Sequence, residues 1–148
     1  MLQDLKRQIC EPPILRLPDV SHPFVLQTNA SHIGIGAALL QEDAALEKRP
    51  VAFASRKLQP WESLYSTIER ECLAIMWGVT KFQEYLYGAE FILKTDHQSL
   101  QYLHQDKFQN CRLMRWALTL QPFRFVLRAI RGCENVAANC LSRNPLDK

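Results

Sequence analysis

The chain contains no pair of cysteines spaced as C-x-x-C, although it holds five cysteines, at positions 10, 72, 111, 133 and 140. An odd count without that spacing predicts neither a disulfide framework nor a zinc site. It fits a reducing, intracellular compartment. No charged opening followed by an apolar core reads as a secretory leader. No apolar run reaches the ~18 residues a membrane-crossing helix needs, so no membrane partner is expected. Internal repeats and low-complexity tracts are also missing. Cys72 and Cys140 fall inside apolar helical patterns, where a cysteine acts as a small hydrophobe.

What is present suits one domain: 148 residues, 47% of them hydrophobic, with a formal charge of +3. That length can bury a sizeable core. The charge is uneven. From Lys107 onward there are eight Lys and Arg against two acids, Glu134 and Asp147. A basic last third points to a polyanion partner better than the net value does. A solvated basic face is the alternative.

The chain opens with a short amphipathic segment, Met1 to Ile9. Pro12, Pro13, Pro18 and Pro23 then impose an extended lead-in, because proline disfavours helix at the residue before it. Residues 1–22 therefore read as a tail, and 23–145 as the domain. Phe24 to Thr28 and Ile33 to Gln41 read as two strands joined at a polar corner, with Gly34 and Gly36 leaving the second strand bare. Glu42 to Pro50 reads as a hairpin loop, and Val51 to Lys57 as a third antiparallel strand. Glu62 and Ser63 open a long helix. Its apolar stripe runs through Leu64, Tyr65, Ile68, Cys72, Ile75, Met76, Val79, Phe82 and Leu86, and Gly88 closes it. Phe91 to Thr95 is a strand ending on Asp96. His97 to His104 and Asn110 to Leu120 are short helices, the second with Arg112 and Arg115 outward. Phe123 to Ile130 is a strand with alternating arginines. Asn135 to Arg143 is a last helix, stopped by Asn144-Pro145. Trp61, Trp77 and Trp116 read as packing residues. The order predicts an α/β fold: a mixed five-stranded sheet, three antiparallel strands then helix-linked strands, with helices on both faces.

In such a fold four positions converge at one end of the sheet. Asn29 ends the first strand and Asp96 the fourth, Glu71 lies on the long helix, and Asn139 on the last. Carboxylates gathered this way bind hard divalent cations, and magnesium prefers oxygen ligands. Two ions ~3.5–4 Å apart can clamp the attacking and leaving oxygens of a phosphodiester. Here two of the four positions carry neutral amides, which leaves Glu71 and Asp96 as the carboxylate ligands and weakens any two-metal centre. Taken singly, Asn29 also suits a turn, Asp96 a helix cap, and Glu71 and Asn139 an ordinary helix surface.

The segments LRLPDVSHPFVLQTNASHIGIGAALLQ, RPVAFASRKL, YSTIERECLAIMWGVTKFQEYLYG, FILKTDHQSLQYL, RLMRWALTLQPFRF and ENVAANCLSR carry a family resemblance. In order and spacing they resemble the ribonuclease H domain of gypsy-type (Metaviridae) LTR-retrotransposon polymerases. The likeness runs from about Cys10 to Pro145, and the tail before it resembles the end of a polymerase connection region. It implies a ribonuclease H-like fold, magnesium as the ancestral cofactor, and an ancestral activity of cutting the RNA strand of RNA–DNA hybrids. The family's four acidic positions map onto Asn29, Glu71, Asp96 and Asn139. The first segment usually reads TDAS and the last ADxLSR, so both departures fall on ligand positions while their flanks stay family-like. A host-domesticated copy that lost catalysis gives this pattern, and so does deliberate Asp→Asn inactivation.

Three functions compete at this stage. The first is a catalytically dead ribonuclease H-like module kept to bind nucleic acid or to scaffold. The second is a weakly active hybrid nuclease using Glu71 and Asp96. The third is a protein-interaction domain. Arg112, Arg115, Arg124, Arg128 and Arg131 are the candidate phosphate-facing side chains.

Overall fold

The computed structural model describes residues 22–42, 48–96 and 111–143. The expected tail, the 97–104 helix, Asn110 and the Asn144-Pro145 stop lie outside the described residues. Strand β1 is Phe24–Ala30, β2 Gly34–Glu42 and β3 Lys48–Lys57. A 3-10 turn, Glu62–Leu64, precedes helix α1, Thr67–Lys81, and the short α2, Gln83–Leu86. Strand β4 (Glu90–Thr95), helix α3 (Cys111–Leu120), β5 (Arg124–Ala129) and α4 (Val136–Arg143) complete the order. The sheet runs β3-β2-β1-β4-β5. β1 pairs antiparallel with β2 and parallel with β4, and β4 pairs parallel with β5. The predicted mixed five-stranded sheet is therefore present, with helices on both faces.

Two close approaches fix the layers. Gly78 of α1 lies against the sheet so tightly that a Cβ there would sit 3.2 Å from both Ala37 Cβ and Thr28 Cγ2. On the opposite face, a Cβ on Gly36 would sit 2.6 Å from the Ala138 carbonyl and 2.7 Å from Leu141 Cβ, so α4 rests on bare β2 backbone. Side chains alternate across a strand. Thr28 thus faces α1, while Asn29, paired with Gly36, faces α4. The main core lies between the sheet and α1–α3, with Leu26, Leu39, Ile75, Val79, Leu86, Phe91, Leu93, Leu113 and Leu120 buried in it. Cys72 and Cys140 are buried as expected, and no disulfide joins the four described cysteines. No helix among the described residues is long and apolar enough to cross a membrane.

The structure differs from the sequence reading in four places. β2 continues to Glu42 and β3 starts at Lys48, so the hairpin loop is shorter than Glu42 to Pro50. Pro50 is accommodated because β3 is an edge strand with a bulge at that point. β1 runs through to Ala30, which puts Asn29 inside a ladder rather than in a turn. The long helix is not continuous. Tyr65 is extended, and Ser66 restarts the helix with a capping box: its hydroxyl accepts from the Glu69 amide and Glu69 accepts from the Ser66 amide. A second break falls at Phe82, and Gly88 follows α2 with φ +81°. Trp61 and Leu64, read as packing residues, are 61% and 85% exposed. Glu62 is the buried member of that turn instead, held by both guanidinium nitrogens of Arg56 at 2.7 and 2.9 Å.

Candidate functional site

The four predicted positions meet in one cleft of about 560 Å³ at the C-terminal end of β1 and β4. Its lining includes Asn29, Ser31, His32, Arg70, Glu71, Asp96, Asn139 and Arg143. β1 delivers Asn29 from the α4 side. The β1–β4 register pairs Gln27 with Lys94, and the same offset brings Asp96 level with Asn29. α1 delivers Glu71 from the opposite face, and α4 delivers Asn139.

Asn29 is buried, and its amide nitrogen donates to Asn139 Oδ1 and, at 3.3 Å, to Ser142 Oγ. The Ser142 hydroxyl donates in turn to the Asn139 carbonyl at 2.9 Å. Ser31 Oγ donates to the Ser142 carbonyl at 2.7 Å, and Asn135 Nδ2 donates to the Thr28 carbonyl at 2.9 Å. Helix α4 is thus fastened to the end of β1 by amides and hydroxyls. Two carboxylates at this spacing would repel one another, or share a proton or a cation. The amide pair satisfies itself.

Glu71 is 5% exposed. Its Oε1 accepts from the Ala30 amide at 3.4 Å, and its buried Oε2 has no hydrogen-bond partner. Burial, and then the negative charge of Asp96, push this carboxyl up to about 8. Glu71 is therefore a carboxyl that tends to hold a proton at neutral pH. Among the described residues no three His, Cys, Asp or Glu gather at one point.

These donors do not fit a two-magnesium centre. Two carboxylates stand where such a centre draws on four. One of them, Glu71, is buried, and the Asn139 oxygen is turned onto an N–H. The structure thus brings together the four positions named from the sequence, with the two amides bonded to each other.

The five candidate arginines do not form one surface. Arg112 pairs with Glu69 at 2.5 Å and lies 4.2 Å above the Tyr65 ring. Arg115 is exposed on the same helix. Arg124 and Arg128 alternate on β5 with Phe125 and Leu127, which pack into the core beside α3, so the two arginines face away from that helix. Arg131 is exposed beyond the strand. The sequence reading missed Ser31, Arg70 and Arg143 as lining of the cleft, and the buried Ser142 as a partner of Asn29. Each lies within four residues of a named position, and helical spacing around Asn139 was the available signal for Ser142 and Arg143.

A mixed sheet in this order, with its polar residues at the end of β1 and β4 between helices of opposite faces, defines a ribonuclease H-like domain. The chain belongs to the family of RNase H-like domains found in reverse transcriptase, whose model matches residues 19–123. It is 40% identical over 146 residues to the retrovirus-related Pol polyprotein from transposon 297 of Drosophila melanogaster, and 41% over 138 residues to that from transposon gypsy of the same organism. Those matches cover 99% and 93% of this chain, but in each case only 13% of the relative. The fold matches a foamy viral protease-reverse transcriptase solved in complex with double-stranded DNA, with TM-score 0.66 and 17% identity, over 88% of this chain and 25% of that one. It also matches RNase H1 from Halobacterium salinarum, with TM-score 0.59 and 9% identity, over 84% of this chain and 98% of that one.

Proposed function

We propose that this domain is a retroelement-derived ribonuclease H-like module that no longer cleaves RNA and is retained to bind nucleic acid. One observation carries the reading: the Asn29–Asn139 amide pair stands where the family resemblance places two metal-binding carboxylates. The amides supply no charge to offset the mutual repulsion of two cations, and their hydrogen bond closes β1 onto α4 without one. Nucleic acid is the partner that fits the basic last third, and solved neighbours of this fold are complexes with double-stranded DNA and with an RNA/DNA hybrid. A domesticated, intracellular copy of a retroelement domain is the origin we infer.

The test is cleavage of a labelled RNA–DNA hybrid in magnesium or manganese, with hybrid binding read across salt in the same samples. The chain should bind with a steep salt dependence and leave the RNA intact. Asn29→Asp with Asn139→Asp should bring back metal-dependent cleavage. Robust cleavage by the unaltered chain would overturn the reading. Absence of hybrid binding at low salt, from a folded sample, would redirect the search to a protein partner.

A further inference from the structure

The cleft has changed its electrostatic character. Arg70 on α1 and Arg143 at the end of α4 reach it from opposite faces of the sheet. Arg70 is held in place, with Nη1 3.0 Å from His32 Nδ1 and Nη2 donating to Thr67 Oγ1 at 3.4 Å. A guanidinium has five donors, so these two contacts leave others for a ligand. Arg143 is exposed. A site with four carboxylates would set four negative charges against these two cations. Here the formal charges balance. Of the two remaining carboxylates, Glu71 lines the cleft but is 5% exposed, and Asp96 is the partly exposed one.

We propose that the cleft captures a backbone phosphate of nucleic acid directly on Arg70 and Arg143, with no divalent cation between. A phosphodiester carries one negative charge and several acceptor oxygens, which suits the planar fork of arginine. In a four-carboxylate cleft the same phosphate would need bridging cations to approach. The loss of two acids therefore does more than remove a metal site, because it lets the arginines of the rim act on the ligand themselves. This inference rests on the nucleic-acid reading above and names its point of contact.

The test is binding of a labelled RNA–DNA hybrid to the 148-residue chain in excess EDTA, across a salt series. The comparison is between the unaltered chain, Arg70→Ala with Arg143→Ala, the same pair changed to Lys, and Arg112→Ala with Arg115→Ala on α3. Arg112, Arg115 and Arg143 are exposed and Arg70 is half-buried, and circular dichroism checks each fold. The unaltered chain should bind without divalent cation. The Ala pair at the cleft should weaken binding about tenfold or more and flatten the log–log salt slope by about 1–2. The Lys pair should restore the slope, since each lysine returns a point charge. Binding in EDTA with a slope unaffected by the cleft pair, or weakened only by the α3 pair, would overturn the inference and leave the nucleic-acid reading standing. Binding that appears only with magnesium would overturn it too. No binding under any condition would overturn both.

Discussion

Asn29→Asp combined with Asn139→Asp should destabilise the domain in the absence of divalent cation by more than the two single changes together. Each single change leaves one amide opposite one carboxylate, and an amide N–H can still donate across the gap. A single change should therefore cost about 1–2 kcal/mol, mostly for placing a charge in a largely dry position. The double change sets two carboxylates within hydrogen-bonding distance. At ~3 Å and an effective dielectric of ~20 their repulsion is about 5 kcal/mol. Sharing one proton is the cheaper route, and holding a proton on a carboxyl at pH 7 costs about 4 kcal/mol against an ordinary value near 4. Asn139 is half-buried, so solvent screens part of this, and the expected coupling is about 2–4 kcal/mol. A double-mutant cycle by urea unfolding in EDTA reads it directly. The sign in pH follows from linkage. The pair's folded-state proton affinity is raised above the unfolded value near 4. The penalty is thus absent below that value and grows as pH rises toward neutrality. Repeating the cycle near pH 4.5 should shrink the coupling, and magnesium at pH 7 should shrink it as well. Additive singles at pH 7 in EDTA would refute the claim that the amide pair fastens α4 to β1.

Glu71 offers a second, independent pH test. Its carboxyl is raised from 4.5 to about 8, so the folded chain binds a proton that the unfolded chain releases. Stability should fall as pH rises from ~4.5 to about 8 and level off above. Glu71→Gln should remove that slope and raise stability at pH 7.5 by about 4 kcal/mol at most, measured as a shift in thermal midpoint across pH. Gly36→Ala should cost about 1–3 kcal/mol in urea unfolding, because its Cβ would meet the Ala138 carbonyl at 2.6 Å and the Ser142 amide nitrogen at 2.8 Å. Both are backbone atoms of one helix turn, so relief requires α4 to move away from the sheet.

The sheet was legible in the sequence because its strands alternate cleanly or are continuously apolar, and polar corners separate them. The convergence of Asn29, Glu71, Asp96 and Asn139 was legible for the same reason, since strand ends and helix positions follow once the order is fixed. The break before α1 was not. An apolar stripe spans Leu64 to Leu86, and periodicity alone joins it. It is interrupted where Arg56, at the end of β3 six residues away, pairs with the buried Glu62, while Trp61 and Leu64 lie at the surface. The Ser66–Glu69 pairing that restarts the helix is local, and the S-x-x-E pattern was there to be read. Arg112 is exposed, as its helical position implies. On a helical wheel it faces outward, yet Glu69 and Tyr65 of the neighbouring α1 region hold it in a pair and a stack.

The pattern of change in the cleft separates two properties that a catalytic carboxylate combines. Asparagine keeps the shape of aspartate, so α4 still seats on Gly36 and the Asn29 side chain still spans the gap from β1. It gives up the charge, which matters little to packing and a great deal to metal binding. A drifting site would be expected to lose shape as well, through substitutions that disturb the close contact of α4 with β2. Here the contact is intact, and the hydrogen bonds of Ser31, Asn135 and Ser142 around it are made. The junction of β1 and α4 is therefore held by uncharged groups, and its packing does not call on a bound cation. That independence is what the paired measurements of stability in EDTA and hybrid binding in EDTA address. Stability in EDTA reports whether the amides have replaced the cation as the junction. Hybrid binding reports whether Arg70 and Arg143 have replaced it as the contact to phosphate.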